Sequence, residues 1–566
     1  MSWLEYYDTA MELASFLTLQ GLEKGDHLTI AAETQIEWAI VDVACMLTGV
    51  VLVPIYPSLS LAELNVILDQ TKPKVFFLGS GVIEAHLPQV SFFKDTTPNI
   101  VHLPGLTAQL KGRFEGLPWS EALNKGQKNL LKNRELILQV ARKITPDDLL
   151  TIVYTSGTSG VPKGVQLTHR QAWSEVNDVM PMIGVTPEDS SLSFMPYAHI
   201  LGRIELWGQI RVGYQIAFAE SIDRLKQNLG EIKPTILIAV PRIFEKIHQG
   251  ILARIQTKAL ENRTFKWAYR IATTAADFTL KGEPIPFFLA SQLAIARRLV
   301  FQPIRDAFGG NLRFAVSGGA PLAEDIMKFF FCCDILVLEG YGLTETTGAI
   351  TVNTPYDFRF GSVGKPVGDV QLRLAADGEI LVKSDKLTTG YFENSEATDA
   401  AFEHGWFKTG DIGEIRPSGE LIIKDRKKDL IKTSGGKYVA PQKIENLLKV
   451  SPLISQVIVH GDKRKFLVAL LTLNQRVTEE WAKVRGSNVE SWSKLVDSDI
   501  IQKEIRRLIQ TANQELASFE TIKRFTVLLE DFSIERGEMT PSLKVKRKDV
   551  EKKYIHILLG TYDISV

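Results

Sequence analysis

The chain has 566 residues, of which 45% are apolar and 23% are charged, and its formal net charge is zero. This composition is ordinary for a globular protein and gives no reason to expect a nucleic-acid partner. The length exceeds what one hydrophobic core supports, so we expect about two to four domains or subdomains.

Features that report on the cellular compartment come first along the chain. The amino-terminal residues lack the basic region of a secretory signal, and the most apolar window, residues 39–54, is too short to span a bilayer. The three cysteines, Cys45, Cys332 and Cys333, have neither zinc-site spacing nor a disulfide framework. We therefore expect a cytoplasmic protein, in which the adjacent pair of cysteines fills a core.

A glycine-rich loop at residues 154–164 follows the apolar run 149–153, which predicts a buried strand. Glycines let successive backbone N–H groups converge on an anion, hydroxyl side chains add donors, and Lys163 adds a positive charge. The segment does not have the Walker A spacing. It predicts a phosphate-binding loop, the alternative being a flexible surface turn.

Short apolar runs between helical stretches predict further buried strands at 235–240, 313–316 and 335–338. The last two runs lead into glycine-rich segments at 317–321 and 339–342. Parallel strands present ligand sites at their carboxyl ends. The phosphate loop and these two segments are therefore expected to share one crevice of an α/β protein.

After about residue 370 the pattern changes to shorter strands with polar turns, such as 379–383 and 420–424. The charged run 425–429 is expected to be the junction to a smaller domain. That domain is predicted to begin with a helix opened by Pro441 and to include an amphipathic helix around residues 501–509.

Six motifs in this order resemble those of the adenylate-forming superfamily, and within it the long-chain fatty acyl-CoA ligases. They are the loop at 154–164 and the segments 317–322, 339–346, 405–413, 425–429 and 434–437. The resemblance implies a large N-terminal domain (1–424) of doubly wound sheets, with a distorted β-barrel-like subdomain at about 355–424. It also implies a small mobile α+β domain (425–566), with its hinge near Lys428.

The implied reaction joins a long-chain fatty acid to ATP with Mg²⁺, releases pyrophosphate, and passes the acyl group to coenzyme A. Both partners of the first step are anions, so a site for it must neutralise charge and align the attack. Lys544, Lys163, Thr344 and Glu345 match the catalytic positions, and Thr155 and Glu345 the magnesium position. The nucleotide-binding residues are implied to be Thr155, Ser156, Gly157, Thr158, Ser159, Gly160, Lys163, Gly319, Ala320, Gly340, Tyr341, Gly342, Thr344, Asp411, Arg426 and Lys544.

Other residues match positions for the acyl chain and the thiol. His199 is implied to lie near the acyl tunnel, and Gly435, Gly436 and Lys437 beside the thiol. Trp207 fits either the tunnel or the core. The basic, aromatic stretch 254–270 is either a solvated helix face or a surface that contacts an anionic membrane.

Three alternatives stay open from the sequence. The activated acyl group could pass to acyl carrier protein, or the reaction could stop at the adenylate. The acid could be short or aromatic. The chain could also be an inactive scaffold that binds lipid or nucleotide, although it keeps the charged residues that the reaction requires.

Overall fold

The computed structural model describes residues 1–94, 96, 99–106, 114–155, 161–256, 259–487, 491–540 and 543–563. Its first sheet has seven strands in the order 5-4-3-1-2-6-7, parallel except for the final pair. The elements of this part are α1 (Trp3–Leu19), β1 (His27–Ala31), α2 (Ile36–Thr48), β2 (Val51–Ile55), α3 (Leu61–Thr71), β3 (Val75–Leu78), α4 (Gly81–His86), β4 (Asn99–His102), β5 (Leu117–Pro118), α5 (Trp119–Lys143), β6 (Leu149–Thr155), β7 (Lys163–Thr168) and α6 (His169–Met182).

A second seven-stranded sheet has the order 14-13-12-11-10-8-9. It contains the three predicted strands as parallel neighbours, with residues 236–239 buried along their whole length because helices cover both faces. Its elements are β8 (Ser190–Ser193), α7 (Ile200–Val212), β9 (Gln215–Phe218), α8 (Leu225–Ile232), β10 (Ile236–Ala239), α9 (Pro241–Gln256), α10 (Ala259–Leu280), α11 (Phe287–Ala296), α12 (Gln302–Asp306), β11 (Phe314–Ser317), α13 (Glu324–Cys332), β12 (Val337–Leu343), β13 (Gly348–Val352) and β14 (Lys365–Pro366).

The remaining chain forms an antiparallel sheet and then a smaller α+β unit with a three-stranded sheet. These observations confirm the predicted α/β class and its small α+β part, whereas the exact domain limits stay a prediction. The elements are β15 (Gln371–Leu374), β16 (Glu379–Lys383), α14 (Ser395–Ala401), β17 (Phe402–Glu403), β18 (Trp406–Ile415), β19 (Leu421–Arg426), β20 (Ile431–Lys432), β21 (Tyr438–Val439), α15 (Pro441–Lys449), β22 (Ile454–His460), β23 (Leu467–Leu473), α16 (Gln475–Val484), α17 (Trp492–Val496), α18 (Asp499–Asn513), β24 (Ile522–Leu528), α19 (Arg547–Lys553) and α20 (Ile555–Asp563).

Two sequence expectations concern burial. Cys332 and Cys333 are both buried thiols in the core beside the second sheet, as predicted. None of the helices in the described ranges has both the length and the apolar composition needed to cross a bilayer.

Helix α7 is tied to both large sheets by polar side chains that are out of contact with water. Arg203 is fully buried, and its Nη2 lies 2.7 Å from Oδ1 of Asp42 on α2. The guanidinium also lies over the rings of Trp38 and Trp207, at 5.0 and 4.7 Å. Trp207 donates to Oδ2 of Asp42 at 2.9 Å, which places it in the core and not in a tunnel.

The next residues of α7 bind the second sheet. Glu205 is buried and accepts hydrogen bonds from the hydroxyls of Ser191 and Ser193 on β8, the latter at 2.6 Å. Burial raises the pKa of Glu205 to about 7, and the two hydroxyl donors act against that rise. One helix thus connects the two sheets through paired polar groups.

Replacing Arg203 by methionine removes one partner of the buried pair and leaves Asp42 without a counter-charge. We expect a loss of about 3–5 kcal/mol in the free energy of unfolding, measured by urea denaturation. The matched control is Arg211→Met on the exposed side of the same helix, with an expected change within about 0.5 kcal/mol. Equal stability of the two variants would contradict a structural role for the buried pair.

Candidate active site

The glycine-rich segment after β11 and the one that forms the second half of β12 line one cavity of about 640 Å³, its open mouth included. Gly318 and Gly319 come from the first segment, and Gly340 and Tyr341 from the second. This confirms the predicted shared crevice for these two segments. The rest of the wall is mostly apolar and comes from α6, α7 and the second sheet; it includes Val179, Met180, Ile183, Ile200, Ile204, Ile238 and Val352.

Lys544 reaches this cavity from the C-terminal unit. A Cβ atom on Gly319 would lie 3.7 Å from the Lys544 ammonium and 3.8 Å from Cε1 of His199, so both side chains face this glycine. Gly319 has φ +83°, a left-handed conformation that favours glycine. The backbone of Lys544 is bonded to Thr540, whose N–H donates to the Lys544 carbonyl at 2.7 Å.

The charge on Lys544 is set by its surroundings. Loss of water contact and the nearby Arg426 guanidinium lower its pKa to about 8, while Asp411 and Glu345 oppose that shift. The ammonium form therefore loses its proton close to physiological pH. A cation in this setting interacts more strongly with a phosphate than one in open solvent.

His199 is the N-cap of α7, and its Nδ1 accepts a hydrogen bond from the backbone N–H of Leu201 at 3.1 Å. Burial and the neighbouring Lys544 lower its pKa to about 3. The imidazole is therefore neutral, with its proton on Nε2. It lines the cavity, and its role near an acyl tunnel stays a prediction.

Tyr341, Asp411 and Arg426 form a connected group above the cavity. The Tyr341 hydroxyl donates to Oδ2 of Asp411 at 2.6 Å, and Arg426 Nε lies 3.3 Å from Oδ1. Antiparallel pairing of β18 and β19 sets Asp411 opposite Arg426. Each carboxylate oxygen keeps a further lone pair, so Asp411 can still accept a hydroxyl from a ligand.

Tyr391, which the sequence analysis did not identify, lies between Lys163 and Glu345. The Tyr391 hydroxyl donates to Oε1 of Glu345 at 2.9 Å, and the Lys163 ammonium lies 5.0 Å from the Tyr391 ring centroid. Thr155 pairs with Lys163 across β6 and β7. Residues Ser156, Gly157, Thr158, Ser159 and Gly160, the centre of the predicted phosphate loop, lie outside the described residues.

The donor set around Glu345 fits magnesium only in company with a ligand. Within the described ranges, no group of three or more His, Cys, Asp or Glu side chains could hold an ion. A single carboxylate such as Glu345 suits Mg²⁺ when phosphate oxygens and waters complete its octahedron, and Thr155 as a further ligand stays a prediction. Thr344 begins the turn that carries Glu345.

Gly435, Gly436 and Lys437 are not at the cavity in this arrangement. All three are exposed, and the Lys437 ammonium lies 6.0 Å from the ring centroid of Phe519. Lys428 is also exposed, two residues after Arg426. Ala320 follows Gly319 and is half-buried.

Sequence reasoning missed a buried charge cluster at the cavity wall. Glu175 lines the cavity and accepts from the backbone N–H of Ala349 at 2.7 Å. Lys386, fully buried, lies 3.3 Å from Glu175 and 3.1 Å from Asp178. Burial raises the pKa of Glu175 to about 7. The sequence feature that could have revealed this cluster is Glu175, a glutamate on the apolar side of α6.

Sequence reasoning also missed the contacts that hold the C-terminal unit in place. Arg242 on α9 donates to the carbonyl and the hydroxyl of Ser455, at 2.9 and 2.7 Å. Gln249, two turns further along the same face of the helix, donates to the carbonyl of Ile454 at 3.1 Å. We call Arg242, Gln249, Ile454 and Ser455 the α9 contact. No motif marks these positions.

Comparison with known proteins agrees with this geometry. The AMP-binding enzyme family matches residues 1–392, and the AMP-binding enzyme C-terminal domain matches residues 428–565. The chain therefore belongs to the AMP-binding enzyme family.

Two similar relatives indicate a narrower group within that family. The chain is 34% identical over 550 residues to the long-chain-fatty-acid–CoA ligase FadD15 of Mycobacterium bovis, covering 96% of this chain and 89% of that protein. It is 31% identical over 595 residues to long chain acyl-CoA synthetase 1 of Arabidopsis thaliana, covering 98% and 86%. These matches confirm the resemblance to the long-chain acyl-CoA ligase branch.

Solved structures show the same fold. The adenylation domain of a carboxylate reductase from Mycobacterium chelonae superposes with a TM-score of 0.74 at 22% identity, covering 100% of this chain and 84% of that one.

The pKa of Lys544 near 8 can be measured on the free protein by competitive acylation at a series of pH values with mass spectrometry. Arg426→Gln removes a positive neighbour and is expected to raise this pKa, whereas Asp411→Asn removes a negative neighbour and is expected to lower it further. A lysine that titrates near its ordinary value of about 10.4 in all three proteins would contradict the observed geometry.

Proposed function

We propose that this protein is a long-chain fatty acid–CoA ligase that uses ATP and Mg²⁺. The observation that carries the proposal is the Lys544 ammonium, delivered from the C-terminal unit to Gly319 at the edge of a mostly apolar cavity. Long-chain ligase names among relatives that match nearly the whole chain support the same reaction.

In the first step an oxygen of the fatty carboxylate attacks the α-phosphorus of ATP. The bond from that phosphorus to the bridging oxygen breaks, and pyrophosphate leaves. Lys544 and neutral His199 both face Gly319 at the edge of the cavity. We assign Lys544 to bridging the two anions, because a preorganised cation lowers the cost of bringing them together.

The proposed nucleotide contacts follow from the two connected groups. Asp411, braced by Tyr341 and Arg426, would accept the ribose hydroxyls. Gly319, Ala320 and Gly340 leave space for the adenine beside Tyr341. On the other side Lys163 and the glycine-rich loop would bind the outer phosphates. Thr344 would contact the α-phosphate, and Glu345 with Thr155 would hold Mg²⁺.

In the second step the sulfur of coenzyme A attacks the acyl carbonyl carbon, and AMP leaves. Gly435, Gly436 and Lys437 are exposed while Lys544 occupies the site. We therefore propose that the C-terminal unit rotates near Lys428 between the steps and brings these residues to the thiol. Such a rotation lets one adenylate meet two different sets of neighbours.

The apolar cavity supports a long-chain acid as substrate, in contrast to a short or aromatic one, because its wall offers α6 and α7 side chains and few polar partners. We also propose a cytoplasmic location with contact to the membrane face, since fatty acids partition into bilayers. Acyl carrier protein is the alternative acceptor, and an inactive scaffold the alternative of another class.

Lys544→Ala tests the reaction. The wild-type protein, given oleate, ATP, Mg²⁺ and either coenzyme A or acyl carrier protein, should release pyrophosphate and form a thioester with coenzyme A only. The variant should form adenylate about 10²–10³-fold more slowly, the usual effect of losing one charge-stabilising donor, while it still binds ATP in calorimetry.

Each contrary outcome of this experiment would support a different alternative. A thioester with carrier protein alone would identify the other acceptor, and pyrophosphate release without any thioester would identify an acyl-adenylate ligase. No pyrophosphate release with acids of any chain length would indicate the scaffold. A Lys544→Ala variant with full activity would overturn the assignment of this residue.

Arg242→Ala tests the α9 contact, which holds the C-terminal unit in the arrangement seen here. Loss of its hydrogen bonds to Ser455 should slow adenylate formation about tenfold, since each such bond contributes about 0.5–1.5 kcal/mol. Thioester formation from supplied oleoyl-adenylate and coenzyme A should be unchanged or faster. The matched control is the exposed Arg224→Ala. Equal slowing of both steps would contradict this role.

A further inference from the structure

Helix α11 carries an exposed apolar face. Its ten residues contain no charged side chain, yet only Leu293 and Ala296 are buried. Phe287 and Phe288 are 80% and 82% exposed, and Ile295 follows on the same side of the helix at 52%. A helix of this composition is normally covered by protein or lipid, because exposed apolar patches mark contact sites.

The segment that contains this face, from α10 to α12, has a net positive charge. From the start of α10 to the end of α12, residues 259–306, there are seven basic and four acidic residues, which gives 7 − 4 = +3, whereas the whole chain has a formal net charge of zero. Arg263, Lys266 and Arg270 recur at helical spacing and are exposed. Arg298 and the exposed Leu299 continue the face beyond α11.

The structure also corrects the surface suggested by the sequence. In the stretch 254–270, Phe265 is buried, and Trp267 and Tyr269 pack on the core of the second sheet. These aromatic rings are thus largely taken up by contacts within the protein. The exposed basic side chains of this stretch can still contact a membrane. The exposed apolar side chains near them belong to α11.

We propose that α10 and α11 dock the protein on an anionic lipid bilayer, with Phe287 and Phe288 inserted below the headgroups and the basic residues of α10 at the phosphates. Interfacial helices combine an apolar face with Lys and Arg in this way, and each basic residue near an anionic surface adds to the attraction. The inference rests on the proposed function, because a bilayer holds the long-chain acid.

A second copy of the chain is a poorer occupant of this face. A symmetric contact would place the same basic surface against itself, because a two-fold interface uses the same patch on both subunits. An anionic bilayer supplies the opposite charge together with an apolar phase.

The test is flotation with vesicles of phosphatidylcholine alone or mixed with phosphatidylglycerol, without nucleotide or fatty acid. The wild-type protein should float with the anionic vesicles and less so at high salt. Phe287→Ser combined with Phe288→Ser should lower the partition coefficient about tenfold or more. Leu131→Ser, at a position 93% exposed on α5, is the matched control and should float like the wild type.

Lys266→Gln combined with Arg270→Gln should reduce the preference for anionic over neutral vesicles. Activity of the phenylalanine variant on octanoate in solution should match the wild type, which separates docking from folding and from catalysis. The proposal is overturned if the wild type does not float, or if the phenylalanine variant floats equally well. It is also overturned if light scattering shows that this variant only converts a dimer to monomers. Lack of ligase activity would contradict the proposed function but leave flotation unaffected.

Discussion

The position of helix α7 is the constraint on which the cavity depends. Arg203 attaches one face of the helix to Asp42, and Glu205 attaches the nearly opposite face to β8; these polar groups are buried. The face between them supplies Ile200 and Ile204 to the cavity wall. A buried charge has no substitute partner, so the helix cannot slide without leaving one unpaired. The apolar wall and the N-cap at His199 are therefore held in a fixed relation to both sheets.

The cavity brings a cation next to an apolar wall with little water around either. His199 is neutral because burial and the neighbouring ammonium both disfavour its charged form. Burial and Arg426 lower the pKa of Lys544 to about 8, and the carboxylates of Asp411 and Glu345 oppose that shift. For an ammonium group in these surroundings, binding an anionic ligand lowers the free energy more than it would for one in open solvent. This links the electrostatics of the free protein to the proposed adenylation step.

Two of the contacts between the C-terminal unit and the rest of the chain have different consequences. The α9 contact consists of a few hydrogen bonds at the edge of β22, which can break and reform. The Lys544 ammonium faces Gly319 at the edge of the cavity, where an anionic ligand could bind it. Polar contacts of this kind can break and let a unit take a second orientation. The exposed face of α11 lies on the large N-terminal part and would stay on a membrane during such a rotation.

The sequence by itself determined the class of fold, the buried strands around residues 236, 314 and 337, and the glycine segments at 317–321 and 339–342. Apolar periodicity and glycine placement are local properties that a pattern can report. Whether Trp207 lies in the core or at a tunnel was decided only by the tertiary structure, because its hydrogen-bond partner Asp42 is distant in sequence. The same holds for Tyr391 between Lys163 and Glu345, for Lys386 beside Glu175, and for the α9 contact. Each of these depends on which distant side chains the packed sheets bring within hydrogen-bonding distance, and sequence spacing carries no record of that distance.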